Sequence, residues 1–130
     1  MLYLKIKTGI DIIEVERIKN MAEKFNGRFL NKIYTENEIQ YCNSKKNKYE
    51  HFAARFAAKE ACFKAISDIL DSKFNISWKD IEVLNDKNGK PFINLHKQLN
   101  LDIDIDISLS HIEKYGCASV VTIIYEKGVE

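Results

Sequence analysis

The chain reads as an α+β protein, helices early and an antiparallel sheet late. Three observations carry that reading. Residues 52–66, FAARFAAKEACFKAI, are apolar on every side, as a buried helix must be. Residues 101–109, LDIDIDISL, alternate strictly between isoleucine or leucine and polar groups, the period of a half-buried strand. A turn-rich stretch near 113–116 then leads into a β-branched run at 117–125, a natural hairpin partner.

In chain order, residues 3–13 are strand-like, with Gly9 as an interruption. From 15 to 25 the spacing turns helical. Val15, Ile18, Met21, Ala22 and Phe25 share one face, charged residues take the other, and Asn26-Gly27 ends the helix. Residues 29–34 form a short apolar segment. Thr35 with Glu38 three residues later is a capping box, so a short helix follows through Tyr41. Polar, basic residues 44–47 are a loop. The long helix begins near Lys48 and is expected to run to Leu70. Residues 76–84 mix strand and turn signals. DKNGKP, residues 86–91, is a turn, and Phe92, Ile93 and Leu95 are the returning strand. Neither repeats nor low-complexity linkers occur, so one domain over 1–130 is expected.

The composition is that of an ordinary soluble chain: 45% hydrophobic, 30% charged, net charge +1. A balance this even gives no electrostatic case for nucleic acid. No apolar stretch is long enough to span a bilayer, and the N-terminus lacks a signal-peptide core. Cys42, Cys62 and Cys117 form no CxxC motif, which points to reduced thiols and a cytoplasmic setting.

The long helix holds the candidate chemistry. At 100° per residue, Phe52, Phe56, Phe63 and Ile66 fall in one stripe about 80° wide, and Ala54, Ala57, Ala58, Ala61 and Ala65 cover the opposite side. Lys59 projects from the phenylalanine stripe, Arg55 borders it on one side and Glu60 on the other, with Lys64 a turn further. Two readings stay open. Glu60 and Lys64 form an i,i+4 pair while Lys59 and Arg55 snorkel to solvent. Alternatively, the four charges line a polar cleft suited to a metal and phosphates, since buried charge demands a partner. A magnesium site wants a second carboxylate. Asp11, between Ile10 and Ile12 and just before a helix, is either that group or an N-cap. His111 stands alone at a strand end. Asp102, Asp104 and Asp106 lie about 7 Å apart along one strand face, too far to share a metal, and read as a solvated edge.

Three blocks, GIDIIEVERI, RFAAKEACFKAI and SLSHIEKYGCASVV, resemble in order the motifs of the holo-acyl-carrier-protein synthases, small bacterial 4'-phosphopantetheinyl transferases. WKDIEVLNDKNGKPFI between them resembles that family's strand and turn. The resemblance implies the 4'-phosphopantetheinyl transferase fold, an antiparallel sheet packed with a long buried helix. It implies transfer of phosphopantetheine from coenzyme A to a serine of an acyl carrier protein, releasing adenosine 3',5'-bisphosphate. Carried over, Asp11 and Glu60 are the magnesium ligands, and Arg55, Lys59, Lys64 and His111 surround coenzyme A. Glu60 is the favoured base, and Lys64 adds charge at the transition state. Arg17, Met21, Lys24 and Arg28 receive the acidic carrier protein. A homotrimer with sites between subunits is also implied. The chain departs from the family in two places. Lys7 replaces an early glycine, and KAISDILDSKFN lacks the glycine-rich turn expected after Lys64. That second departure supports the alternative of a non-catalytic coenzyme A or nucleotide-binding module.

Overall fold

A computed structural model describes residues 2–70 and 76–127. β1 (Leu2–Glu14) pairs antiparallel along its whole length with β5 (Tyr115–Lys127), and β4 (Asp102–His111) pairs with the other side of β5. The sheet order is therefore β1-β5-β4. β2 (Ile81–Asn85) and β3 (Pro91–Leu95) form a separate hairpin. The helices are α1 (Val15–Lys24), α2 (Arg28–Ile33), α3 (Glu36–Asn43) and α4 (Lys48–Ile66), with a 3-10 turn at Trp78–Asp80.

The two faces of α4 seen in the sequence meet two different neighbours. Its alanine side lies on β1 and β5. Contrary to the sequence expectation, Gly9 does not interrupt β1; it is where the strand lies directly against the helix backbone. A β-carbon there would stand 1.9 Å from the Ala61 carbonyl oxygen. At Gly116 on β5 it would stand 2.7 Å from the Ala54 nitrogen and 2.8 Å from the Ala53 carbonyl carbon. Two glycines facing alanines bring sheet and helix backbones nearly into contact. The phenylalanine side takes Trp78, which stacks on Phe56 at 5.1 Å and meets Phe63 edge-on at 5.4 Å. Phe52 and Ile66 are fully buried.

α4 ends at Ile66 rather than at Leu70, and residues 67–69 are a turn. Ser67 and Asp68 are exposed, Asp68 accepts from Lys7 on β1 at 2.6 Å, and Ile69 and Leu70 pack on the core from outside the helix. The segment at 29–34 folds as α2, and Tyr34 after it is fully buried, its hydroxyl donating to the Phe52 carbonyl at 2.7 Å. β5 starts two residues earlier than the sequence pattern suggested, at Tyr115. β4 is the sheet edge, and Asp102, Asp104 and Asp106 are exposed on it, as read.

Candidate active site

β1 and α4 bring the two sequence-distant carboxylates together. Asp11 lies within β1, three residues before the true N-cap, Glu14, so it does not cap α1. Asp11 and Gly9 point to the same side of the strand, the side that Gly9 lays on Ala61. Glu60 precedes Ala61 on α4. Its carboxyl is raised, first by burial and then by the Asp11 charge, with Lys64 and Arg17 pulling it back. A carboxylate that feels the Asp11 charge in this way lies close to it.

Lys64 does not turn to Glu60. Its Nζ donates to the Ile10 carbonyl at 2.9 Å and lies 3.1 Å from Asp11 Oδ1, across from its own helix. The Asp11 side chain is 17% exposed and that of Lys64 54%, so the ammonium sits at the rim and can be displaced. Two carboxylates in mutual repulsion, with no third protein donor required, fit magnesium, which draws its remaining ligands from phosphate oxygens and water. Among the described residues no group of three or more His, Cys, Asp or Glu side chains could hold a metal by themselves.

The other cations separate. Lys59, expected beside coenzyme A, is fully buried. Its Nζ lies 2.8 Å from Glu38 Oε1, 2.9 Å from the Trp78 carbonyl and 2.6 Å from the Ile81 carbonyl. Three acceptors use the three protons of an ammonium, so Lys59 neither snorkels nor faces a cleft. Burial lowers the affinity of its amine for a proton, and Glu38 works against that shift. Arg55 is also buried, at 2% exposure. Its guanidinium stacks 3.9 Å from the centre of the Tyr41 ring and bonds Asn85 Oδ1, while Nε has no partner among the described residues. His111 closes β4, its Nδ1 2.9 Å from Glu50 Oε1 and its ring 4.6 Å from that of His51. Arg17, Met21 and Lys24 line one shallow depression on α1 with Glu14, Glu16 and Asn20. Arg28 opens α2, exposed. Arg17 thus borders both that surface and Glu60.

Tyr41, Glu50, His51 and Asn85 were not singled out from the sequence. His51 was within reach: it precedes Arg55 by four residues, so the two share a helix face. Nothing local signalled the others. The two departures from the motif pattern meet in space, for Lys7 and Asp68 are ion-paired. The remainder of the glycine-free stretch, 71–75, lies outside the described residues.

Comparison with known proteins gives the family and the fold. The family model of the 4'-phosphopantetheinyl transferase superfamily matches residues 7–120. A holo-[acyl-carrier-protein] synthase from Halothermothrix orenii is 46% identical over 87% of this chain and 93% of its own length. One from Chloroherpeton thalassium is 42% identical over 89% and 96%. Among solved structures, a holo-(acyl-carrier-protein) synthase from Bacillus anthracis str. Ames in complex with CoA (3',5'-ADP) superposes with a TM-score of 0.75 at 35% identity, covering 96% of this chain and all of that one. The Helicobacter pylori enzyme in complex with coenzyme A gives 0.74 at 30% identity over 87% and 96%. With a family model matched over residues 7–120 and relatives 42 to 46% identical over most of its length, the chain belongs to the 4'-phosphopantetheinyl transferase superfamily.

Proposed function

We propose that this chain transfers the 4'-phosphopantetheine group of coenzyme A to a serine of an apo-acyl-carrier-protein, with magnesium. The observation that carries the reading is the meeting of Asp11 and Glu60 at a rim where Lys64 already supplies positive charge. The similar proteins named above as holo-acyl-carrier-protein synthases, two of them with coenzyme A or its fragment, support the choice of donor and acceptor.

Asp11 and Glu60 would hold magnesium, which supplies positive charge to the diphosphate of coenzyme A. The serine oxygen forms a bond to the phosphorus that carries pantetheine. The bridging P–O bond breaks, and its electron pair leaves with adenosine 3',5'-bisphosphate. Glu60 is the proposed acceptor of the serine proton. Lys64 meets charge on the departing phosphate. Arg17, Lys24 and Arg28 attract the acidic carrier, with Met21 as the apolar contact between them. Charge reversal at Lys24 and Arg28 should raise the KM for carrier and blunt its dependence on salt.

A homotrimer is part of the same proposal. On the outer face of the sheet Leu4, Ile6, Ile10 and Ile12 are 58, 65, 70 and 65% exposed, a row of large apolar groups that free chains rarely show. Further copies of the chain would cover it, and Ile6→Glu with Ile10→Glu should yield monomers on sedimentation. No helix of the described residues is long and apolar enough to cross a membrane, and the three cysteines are free, which suits a reaction in the cytoplasm.

The deciding experiment incubates the protein with coenzyme A, magnesium and apo-acyl-carrier-protein, then weighs the carrier. A gain of one phosphopantetheine group is expected. Coenzyme A binding without a mass gain would favour a non-catalytic module instead.

A further inference from the structure

We infer that Glu50 is a positioning residue for this reaction: its carboxylate holds the His111 ring by Nδ1 and leaves Nε2 as the atom offered to coenzyme A. The inference rests on the proposed function and adds a residue outside the motifs that suggested it.

The geometry begins at Gly116. In the β4–β5 register Gly116 stands opposite His111, and its bare α-carbon rests on the backbone of Ala53 and Ala54. That approach lays the end of the hairpin over the first turns of α4. His111 Nδ1 is thereby 2.9 Å from Glu50 Oε1, with the two side chains 32 and 16% exposed. A carboxylate only accepts, so Nδ1 donates and carries the proton, whichever charge the ring has. Nε2 is the ring atom left for a substrate.

A second contact limits rotation. The His51 ring lies 4.6 Å from that of His111, tilted by 58°, and is itself met edge-on by Tyr41 of α3 at 5.8 Å. Tyr41 is backed by the Arg55 guanidinium on α4 and, at 4.8 Å, by Lys45 from the loop before α4. Burial lowers the proton affinity of His51, and His111, Arg55 and Lys45 lower it further, against the pull of Glu50. The His111 ring is held by a bond on one edge and an aromatic contact beside it.

Glu50 also lies in the first turn of α4, where a carboxylate favours the helix dipole. That role alone predicts a change in melting temperature and none in substrate affinity. It also places no demand on His111.

The test is steady-state transfer with coenzyme A, magnesium and apo-acyl-carrier-protein, using Glu50→Ala, Glu50→Gln, His111→Ala, His111→Gln, His111→Asn and the double alanine variant. Glu50→Ala should raise the KM for coenzyme A about tenfold, the worth of one charge-assisted hydrogen bond, and leave the KM for carrier unchanged. Glu50→Gln should stay near wild type, because its amide oxygen still accepts from Nδ1. The double alanine variant should be no worse than His111→Ala, since both remove one device. His111→Gln, whose amide reaches toward Nε2, should retain more activity than His111→Asn, whose amide stands near Nδ1. An unchanged KM for coenzyme A in Glu50→Ala overturns the inference. So do effects of Glu50→Ala and His111→Ala that multiply, or a glutamine at 50 that fails like alanine. Should the alanine variant not fold, Glu50→Gln and the two amide variants at 111 decide alone. If wild-type protein adds no mass to the carrier, the transferase reading falls and Glu50's role with it. If wild type transfers normally and Glu50→Ala matches it, only the role of Glu50 falls.

Discussion

Lys59 and Lys64 lie five residues apart on α4, and their surroundings have little in common. Lys59 is sealed in the core with Glu38 and two backbone carbonyls as acceptors. Lys64 stands half-exposed at the rim, on Asp11 and the Ile10 carbonyl. The neighbouring element decides the difference. Lys59 projects toward α3 and β2, where the Trp78 ring and the hairpin close over the phenylalanine stripe. Lys64 projects toward β1 at the open end of the same helix. A charge with every proton matched inside a packed core is fixed in place. A charge at a rim can yield its position to an incoming ligand. One lysine therefore serves architecture and the other is free to serve chemistry.

Removing the inner lysine is the harshest way to test that contrast. Lys59→Met strands the Glu38 carboxylate in the core, a loss of about 3–5 kcal/mol. Urea melts should show the midpoint collapsing, and Lys59→Met with Glu38→Leu should recover only part of it, because both charges leave together but the Thr35 and Val83 amides lose their acceptor. Lys64→Ala should shift the same midpoint by about 1 kcal/mol or less, as exposed pairs do, while slowing transfer about 100-fold. Equal stability losses in the two single variants would erase the distinction.

Next in size is the approach that builds the rim. Gly9→Ala drives a methyl into the Ala61 carbonyl, and neither backbone can retreat without breaking β1–β5 pairing or α4 packing. Overpacking of this kind is worth about 1–3 kcal/mol. It should also slow transfer beyond what the stability loss explains, because the same displacement carries Asp11 away from Glu60. A stable Gly9→Ala protein with full activity would mean that the strand need not lie so near the helix.

Those two residues also mark where sequence reasoning succeeds and where it stops. The alternation at 101–109 and the two-faced helix at 52–66 are local periodicities, and the chain obeys them because each side chain's direction follows from its own backbone. The pairing of Asp11 with Glu60 was legible only through the motifs, since no spacing rule joins residues on different elements. Lys59 was misread for a related reason. Glu38 does complete the expected capping box, accepting from Thr35 N at 2.8 Å, but the same carboxylate also takes Lys59 and the Val83 amide. A local signal had hidden a long-range partner. Gly9 was read as a break because its value lies in what faces it, and a sequence does not show facing backbones.

At the rim, charge rather than packing is under test. Glu60→Gln and Asp11→Asn should each cut transfer at least 100-fold. Stability in the absence of metal should hold or rise in Glu60→Gln, which removes one of two repelling carboxylates, and fall by about 1 kcal/mol or less in Asp11→Asn, which also releases Lys64. Magnesium should raise the melting temperature of wild type and of neither variant. A metal response that survives in both would require other ligands.

The smallest effect separates core from rim by pH. Burial pushes the Glu82 carboxyl up, but hydrogen bonds from Thr35, His96 and Asn37 outweigh burial and hold it below its ordinary range. The folded chain then binds this proton less readily than the unfolded chain. The stabilisation is complete above the unfolded pKa and is lost as pH falls through the lower, folded value. Glu60 has the opposite sign. Its raised pKa gives a contribution complete below the unfolded value and lost as pH rises through the folded one. Urea melts between about pH 4 and 7 should therefore show the advantage of wild type over Glu82→Gln shrinking on acidification. Over the same range wild type should gain on Glu60→Gln as the solution is made more acid. The two difference curves slope in opposite directions because one carboxylate sits among donors, and the other is raised first by burial and then by the Asp11 charge. Parallel curves would mean that burial and Asp11 together do not raise Glu60; an Asp11→Asn background that leaves the Glu60 curve unchanged would remove the electrostatic coupling of the pair.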